Sequence, residues 1–173
     1  HINDLQSGWE MPVVMSFVCN TGDFESESCF GEALIKGGDS PSSPKGAVAV
    51  IAPSDLDTDT RFNNVICGQI WDEVLDGRLT ELGPILHSGK QSLIKEFGRE
   101  FEVTGAGGTA NLSDFYHHVY GVLGDPSINL WTGIPKEFQY TSPESIILPN
   151  TNSVIVMDED GQALQDVVGA ILF

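Results

Sequence analysis

The sequence predicts an α/β fold: a mostly parallel sheet with flanking helices over residues 1–133, followed over residues 134–173 by the beginning of a β-sandwich module. Three observations carry this reading. Two apolar runs, residues 13–18 after Pro12, interrupted only by Ser16, and residues 47–52 after Gly46, suit strands buried on both faces. A segment with helical spacing separates them, so strand, helix and strand form a crossover unit expected to be right-handed. From about residue 134 helical periodicity is lost and short β-like runs take over.

The elements follow in order. Residues 2–11 are polar and irregular. The first strand, residues 12–18, is taken as the central one. It ends in Cys19-Asn20-Thr21-Gly22-Asp23, which is turn chemistry. Cys19 therefore falls at the C-terminal lip of a parallel strand, the edge where open α/β sheets bind ligands. A thiol there, near a Gly that lets a substrate backbone approach, is a candidate nucleophile; the alternative is a buried structural Cys. Residues 20–27 make an acidic loop. A helix over about 28–36 sets Phe30, Ala33 and Leu34 on one face, and residues 37–44 are a turn-rich connection.

The second strand, residues 46–52, opens into the polar loop 53–61, expected on the same rim as Cys19. A helix over about 62–76 spaces Phe62, Ile66, Ile70 and Val74 four residues apart, and another over about 80–97 aligns Leu82, Ile85, Leu86, Leu93, Ile94 and Phe97. Residues 98–110 read as Gly-rich and irregular. Asn111 is placed to cap a helix carrying Leu112, Phe115, Tyr116, Val119 and Tyr120. Leu123-Gly124-Asp125-Pro126-Ser127 is a sharp turn. In the tail, residues 145–148, 153–157 and 167–173 are β-like, and Asp158-Glu159-Asp160-Gly161 is a hairpin signal.

A chain of 173 residues with 40% hydrophobic content fits one domain, or one domain plus part of another. A formal net charge of −17 excludes nucleic acid and anionic membrane as partners, since both need a basic face. No apolar run is long enough for membrane insertion. Cys19, Cys29 and Cys67 are odd in number and lack metal-type pairing, so no disulfide scaffold is expected; Cys29 and Cys67 read as core residues on helix faces. The chain starts at His1 in loop-like sequence and stops on Ile171-Leu172-Phe173, the pattern of a piece of something longer.

The run Ser16-Phe17-Val18-Cys19-Asn20-Thr21-Gly22-Asp23-Phe24, with Ser28-Cys29-Phe30-Gly31-Glu32-Ala33-Leu34 after it, resembles the nucleophile region of the gingipain family. These are secreted bacterial cysteine peptidases with a caspase-like α/β fold. The resemblance continues through residues 46–52, the helix with Gly68-Gln69 and Glu73, and Val122-Leu123-Gly124-Asp125-Pro126-Ser127-Ile128, which is similar to the turn that closes the family's catalytic domain. It also implies that the tail is the start of an Ig-like module. On this resemblance Cys19 is the nucleophile, its backbone N–H contributes to the oxyanion hole, and Phe62 corresponds to an aromatic bordering the specificity pocket. The family's general base is a His in a His-Gly pair upstream of the Cys. No His-Gly pair occurs here, so the base is expected in an upstream part of the same polypeptide.

The residues leave several readings open. Phe62 is either a pocket wall or an ordinary core residue of its helix. Asp55, Asp57 and Asp59 attract a basic side chain before the scissile bond, hold a structural calcium ion, or are merely solvated. Asp57 and Asp59 are taken as substrate contacts with Phe62. Gly22 and Asp23 are turn formers. Adjacent on a helix, His117 and His118 point apart and cannot easily share a metal, and His87 is structural. No cofactor is required for the chemistry. The function that results is a secreted or cell-surface cysteine endopeptidase acting on proteins or peptides. A transpeptidase that passes the acyl group to an amine, or a catalytically dead adhesion scaffold, would use the same fold.

Overall fold

The computed structural model describes residues 2–25, 28–40, 42–134, 136–141, 153–165 and 167, in two compact units, His1–Thr132 and Gly133–Phe173. After a 3-10 turn at Ile2–Asp4, the first unit contains β1 (Val13–Met15), α1 (Phe30–Ile35), β2 (Gly38–Ser40), β3 (Ser43–Pro44), β4 (Ala49–Pro53) and α2 (Thr60–Leu75). Then come α3 (Leu82–Phe97), β5 (Glu102–Gly105), β6 (Gly108–Asn111), α4 (Leu112–Val119) and β7 (Tyr120–Leu123).

Three strands form the main sheet in the order β1-β4-β7. β1 runs parallel to β4 with Val14 opposite Val50, and β7 runs antiparallel to it with Val50 opposite Leu123 and Pro53 opposite Tyr120. This corrects two expectations. Among the described residues β4, not the first strand, is central, and only one of the two ladders is parallel. β1 is also shorter and half-buried: Ser16 N–H still donates to Ile51 C=O at 2.8 Å, and there the chain leaves the sheet. β7 has no signal of its own in the sequence because Tyr120 follows α4 with no turn residue between them, so helical spacing runs straight into the strand. Lys90 closes that junction, its Nζ donating to the carbonyls of His117 and Tyr120.

β4 is buried along its whole length because both of its faces are covered. Ala49 and Ile51 face the helices and pack with Phe62, Ile66, Ile70, Leu82, Leu93 and Tyr116. Val50 and Ala52, on the other face, pack with Leu34 and Ala47. α1 meets the sheet through Gly31 and Leu34 rather than through Phe30, which is 48% exposed. A Cβ on Gly31 would stand 2.6 Å from Leu123 Cδ1 and 3.1 Å from Thr21 C=O, so a side chain there would have to displace the Leu123 side chain of β7. Cys29 is the N-cap, not a residue on the helix face; its Sγ accepts from Glu32 N–H at 3.4 Å.

The spacing read for α2 and α3 holds: Phe62, Ile66, Ile70 and Val74 are all buried. The helices approach closely at Gly89, where a Cβ would meet Ile66 and Ile70 side-chain carbons at 3.0 Å. Glu73 joins them, accepting from Gln69 Nε2 at 2.7 Å, Ser88 Oγ at 2.8 Å and Arg78 Nε at 2.8 Å. The bonds from Arg78 and Ser88 hold its carboxyl below the usual carboxylate range. That contribution to stability is present above the unfolded carboxylate pKa and is lost as pH falls through the lower folded value.

Residues 98–110 are not irregular. β5 and β6 form a hairpin around Ala106-Gly107, with Glu102 opposite Asn111 and Gly105 opposite Gly108. The four-residue strands leave little alternation to read beside so many glycines, and Val103 alone is half-buried in them apart from the end residue Asn111. The connection at 37–44 likewise contains the small β2–β3 pair. Asn111 caps α4, Oδ1 accepting from Asp114 N–H at 3.2 Å. Asn111→Ala is expected to lower stability by about 1 kcal/mol, read as the shift of a urea or thermal unfolding midpoint.

In the second unit β8 (Gln139–Thr141) pairs antiparallel with β9 (Ile155–Met157). The turn read at 158–161 is present, with Gly161 N–H bonded to Asp158 C=O at 3.0 Å and Gly161 at φ 77°. The chain folds back through a Met157–Ala163 bridge, and Leu164 N–H donates to Val156 C=O at 2.9 Å. The β-like runs at 145–148 and 168–173 lie outside the described residues, as does His1. Among the described residues no helix is long and apolar enough to cross a membrane.

Candidate active site

After β1 the chain makes a tight turn that presents Cys19. Asn20 takes a left-handed backbone, φ 62°, a conformation Asn tolerates better than most residues. Gly22 is pressed against β4: its N–H donates to Pro53 C=O at 2.8 Å, and a Cβ would stand 2.9 Å from Ala52 Cβ. Asn20 N–H donates to Asp55 C=O at 3.1 Å. The turn is therefore strapped to the loop that follows β4, and the expectation that both lie on one rim is met. Asp23 Oδ1 accepts from Glu25 N–H at 3.2 Å, the behaviour of a turn former.

Cys19 is half-buried and its Sγ donates to Thr58 C=O at 3.1 Å. Its backbone N–H has no acceptor among the described residues. Near the thiol stand two tyrosines, Tyr116 and Tyr120, stacked 5.9 Å apart. Tyr116 Oη accepts from Asp59 N–H at 2.8 Å and donates to Asp59 C=O at 3.3 Å, which fixes the loop immediately after Thr58. Tyr120 Oη donates to Asn63 Oδ1 at 2.9 Å, and Asn63 Nδ2 donates to Phe17 C=O at 3.2 Å, which fixes the chain just before Cys19. A polar Asn between Phe62 and Ile66 on the buried side of α2 was the one sequence signal for this bracing. Thr58, Tyr116 and Tyr120 gave none, since their spacing is that of loop and core.

Burial pushes the Tyr116 hydroxyl up to about 12, and Tyr120 is raised for the same reason. A phenol whose folded value exceeds its unfolded value of about 10 contributes stability that is complete below pH 10 and is lost as pH rises towards 12. The Tyr116 share of that loss is about 2–3 kcal/mol. Melting temperatures recorded between about pH 9 and about pH 12 are expected to fall steeply, and less steeply in Tyr116→Phe.

The three alternating carboxylates have different places. Asp59 is the N-cap of α2, its Oδ1 accepting from Arg61 N–H at 2.7 Å, so that carboxylate is committed to the helix. Asp57 Oδ2 accepts from Gly107 N–H at 3.2 Å, across to the β5–β6 hairpin. Asp55 and Asp57 line a cavity of about 220 Å³ with Val103, Thr104, Thr109 and Phe115. Phe62 is not in that cavity lining. It is 3% exposed, its ring edge-on to Phe97 at 5.1 Å and to Tyr116 at 5.7 Å; this is the packing of a core residue, one of the two readings its spacing leaves open. Among the described residues no group of three or more His, Cys, Asp or Glu is placed to hold a metal ion. His117 Nδ1 donates to Ser113 C=O at 2.8 Å and His118 Nδ1 to Asp114 C=O at 2.7 Å, both within α4, and His87 lies edge-on to His117 at 5.9 Å.

The sequence model of peptidase family C25 matches residues 1–131. The chain belongs to peptidase family C25. Gingipain R1 of Porphyromonas gingivalis is 24% identical over 169 residues, covering 93% of this chain and 15% of the relative. Gingipain R2 of the same species is also 24% identical over 169 residues, covering 21% of its length. The C25 chain thus spans about a fifth or less of the curated relatives it matches. Its fold is that of the Arg-specific cysteine proteinase gingipain R in its crystal structure: TM-score 0.70, 20% identity, 96% of this chain and 40% of that one. The complex of Porphyromonas gingivalis RgpB pro- and mature domains gives the same TM-score, 0.70, at 20% identity, over 94% of this chain and 38% of that one. The resemblance drawn from the residues around Cys19 holds at the level of the family and of the fold.

Proposed function

We propose that Cys19 is the nucleophile of a secreted cysteine endopeptidase. Residues 1–133 are the C-terminal part of its caspase-like catalytic domain and residues 134–173 the beginning of an Ig-like module. The observation that carries the reading is the half-buried thiol in the turn after β1, strapped to the loop after β4, with its own N–H lacking an acceptor among the described residues. The thiolate attacks the substrate carbonyl carbon, the C–N bond breaks, and the amine leaves with a proton. Water then hydrolyses the acyl-enzyme. The Cys19 N–H donates to the oxyanion as charge develops there. The imidazole base comes from an upstream part of the same polypeptide.

The cavity between the loop and the hairpin receives a substrate side chain. Two carboxylates on one wall and apolar carbons of Val103 and Phe115 suit a cationic group on an aliphatic stem. Asp57→Asn is expected to reduce cleavage after basic residues about tenfold in kcat/KM, mainly through KM. Equal cleavage by both proteins would remove Asp57 from substrate binding. The reading as a whole is tested with peptidyl chloromethyl ketones of basic, acidic and apolar character, incubated with the natural polypeptide that carries this sequence. The expected result is one covalent adduct, mapped to Cys19, formed fastest with the basic probe. Peptide cleavage untouched by thiol alkylation would overturn it.

A further inference from the structure

Ser16 precedes Cys19 in the turn and Thr21 follows it, and their hydroxyl oxygens meet at 2.8 Å. Thr21 Oγ1 is also 2.8 Å from the carbonyl oxygen of Val18. A carbonyl can only accept, and a hydroxyl has one proton to give. With the Thr21 proton on Val18 C=O, the Ser16 hydroxyl supplies the proton between the two oxygens. The result is a short chain, Ser16 to Thr21 to Val18 C=O, in which each bond polarises the next. Both of its side chains stand on anchored backbone. Ser16 N–H donates to Ile51 C=O of β4 at 2.8 Å, and Thr21 C=O accepts from Gly31 N–H in the first turn of α1 at 2.8 Å.

The Val18 carbonyl and the backbone N–H of Cys19 belong to one peptide unit. Such a unit is planar and trans, so its C=O and N–H point in opposite directions. The Thr21 hydroxyl, by holding the Val18 oxygen, therefore aims the Cys19 N–H the other way, where it has no acceptor among the described residues. Thr21 N–H reaches the same carbonyl at 3.4 Å, so the hydroxyl makes the shorter bond. Without it the peptide plane is left to that long contact and can tilt about its flanking Cα atoms. We infer that Thr21 is a positioning residue for the Cys19 N–H. Its hydroxyl, backed by Ser16, pins the Val18–Cys19 peptide so that this N–H meets the substrate carbonyl oxygen as negative charge develops there. The sulfur has a separate partner, Thr58 C=O, so the hydroxyl pair acts on the oxyanion and not on the thiol.

The inference rests on Cys19 being the nucleophile, and its test separates the N–H from the sulfur. One probe is a peptidyl aldehyde with a basic residue at its carbonyl end. The Cys19 sulfur adds to the aldehyde carbon, the thiol proton ends on the former carbonyl oxygen, and that oxygen lies where the oxyanion forms. The other probe is iodoacetamide, from which the sulfur displaces iodide without forming an oxyanion. In the natural polypeptide that carries this sequence, Thr21→Val is expected to lower kcat about tenfold with KM within about twofold, and to weaken aldehyde inhibition by a similar factor. The iodoacetamide rate at Cys19, mapped by mass spectrometry, is expected to stay within about twofold. Thr21→Ser, which keeps the hydroxyl, is expected to restore kcat and aldehyde inhibition to within about threefold of wild type. Ser16→Ala removes only the supporting bond and is expected to cost about threefold in kcat.

An unchanged kcat in Thr21→Val overturns the inference, and so does Thr21→Ser behaving like Thr21→Val. Loss of alkylation together with turnover in Thr21→Val means that the whole turn has moved, which also overturns it. Wild-type protein that is alkylated at Cys19 but neither cleaves peptides nor binds the aldehyde sinks the functional reading, and this inference with it.

Discussion

Cys19→Ala is expected to lower kcat/KM for peptide hydrolysis by about four orders of magnitude or more while leaving the fold intact. The two halves of this result have separate causes. In the proposed function the thiol is the group that forms the acyl bond, so its loss would remove the covalent route. Structurally it makes a single sulfur-type bond to Thr58 C=O from a half-buried turn, and substitutions at such places usually change stability by no more than about 0.5 kcal/mol. The turn is held by Asn20, Gly22, Asn63 and Tyr120, none of which depends on the sulfur. Residual rate would come from the backbone N–H of residue 19 and from substrate binding. Cys19→Ser should fall nearly as far, because a hydroxyl keeps the Thr58 contact but is a far weaker nucleophile at neutral pH. Activity on a fluorogenic peptide library, read beside the circular dichroism melting curve, checks both halves. Full activity in Cys19→Ala would leave the site without its nucleophile.

The contrast with the core shows why the fold and the site differ so much in what the residues alone disclose. β4 was plain in the sequence because Ala49-Val50-Ile51-Ala52 lacks any turn residue and is apolar on both faces, which only a covered strand tolerates. Cys19 was plain for the opposite reason: an apolar run stops, and Asn-Thr-Gly-Asp follows. β7 was hidden because its boundary with α4 has no punctuation, and the β5–β6 hairpin because glycines mask its alternation. Asp57 and Asp59 look alike in the sequence, yet Asp59 precedes a helix and caps it, while Asp57 reaches a hairpin residue fifty positions away. Phe62 was ambiguous by spacing, and only the rings of Phe97, Phe101 and Tyr116 around it decide for the core. The bracing of the site by Tyr116 and Tyr120 belongs wholly to tertiary structure, since each hydroxyl finds its partner across an interval of 57 residues.

On the proposed function, the isolated 173-residue chain is expected to hydrolyse peptides at least about a thousandfold more slowly than a polypeptide that carries the proposed upstream part. The imidazoles are engaged elsewhere: His117 and His118 each bond back to a carbonyl of α4, and His87 lies edge-on to His117 from α3. None has a described contact with Cys19, whose sulfur bonds to a carbonyl that cannot take its proton away. The superposition on gingipain R covers 40% of that chain, so a polypeptide of the relative's size has ample room to bring a base to the rim from elsewhere. A thiol without a base still reacts with alkylating agents, and for that reason the isolated chain should retain Cys19 labelling while losing turnover. Both chains are assayed on one peptide library, with the labelled fraction of Cys19 measured in each so that misfolding is not mistaken for chemical incompetence. Equal, Cys19-dependent turnover in the two would place the base among His1, His87, His117 and His118. Replacing each in turn by Ala would then identify it.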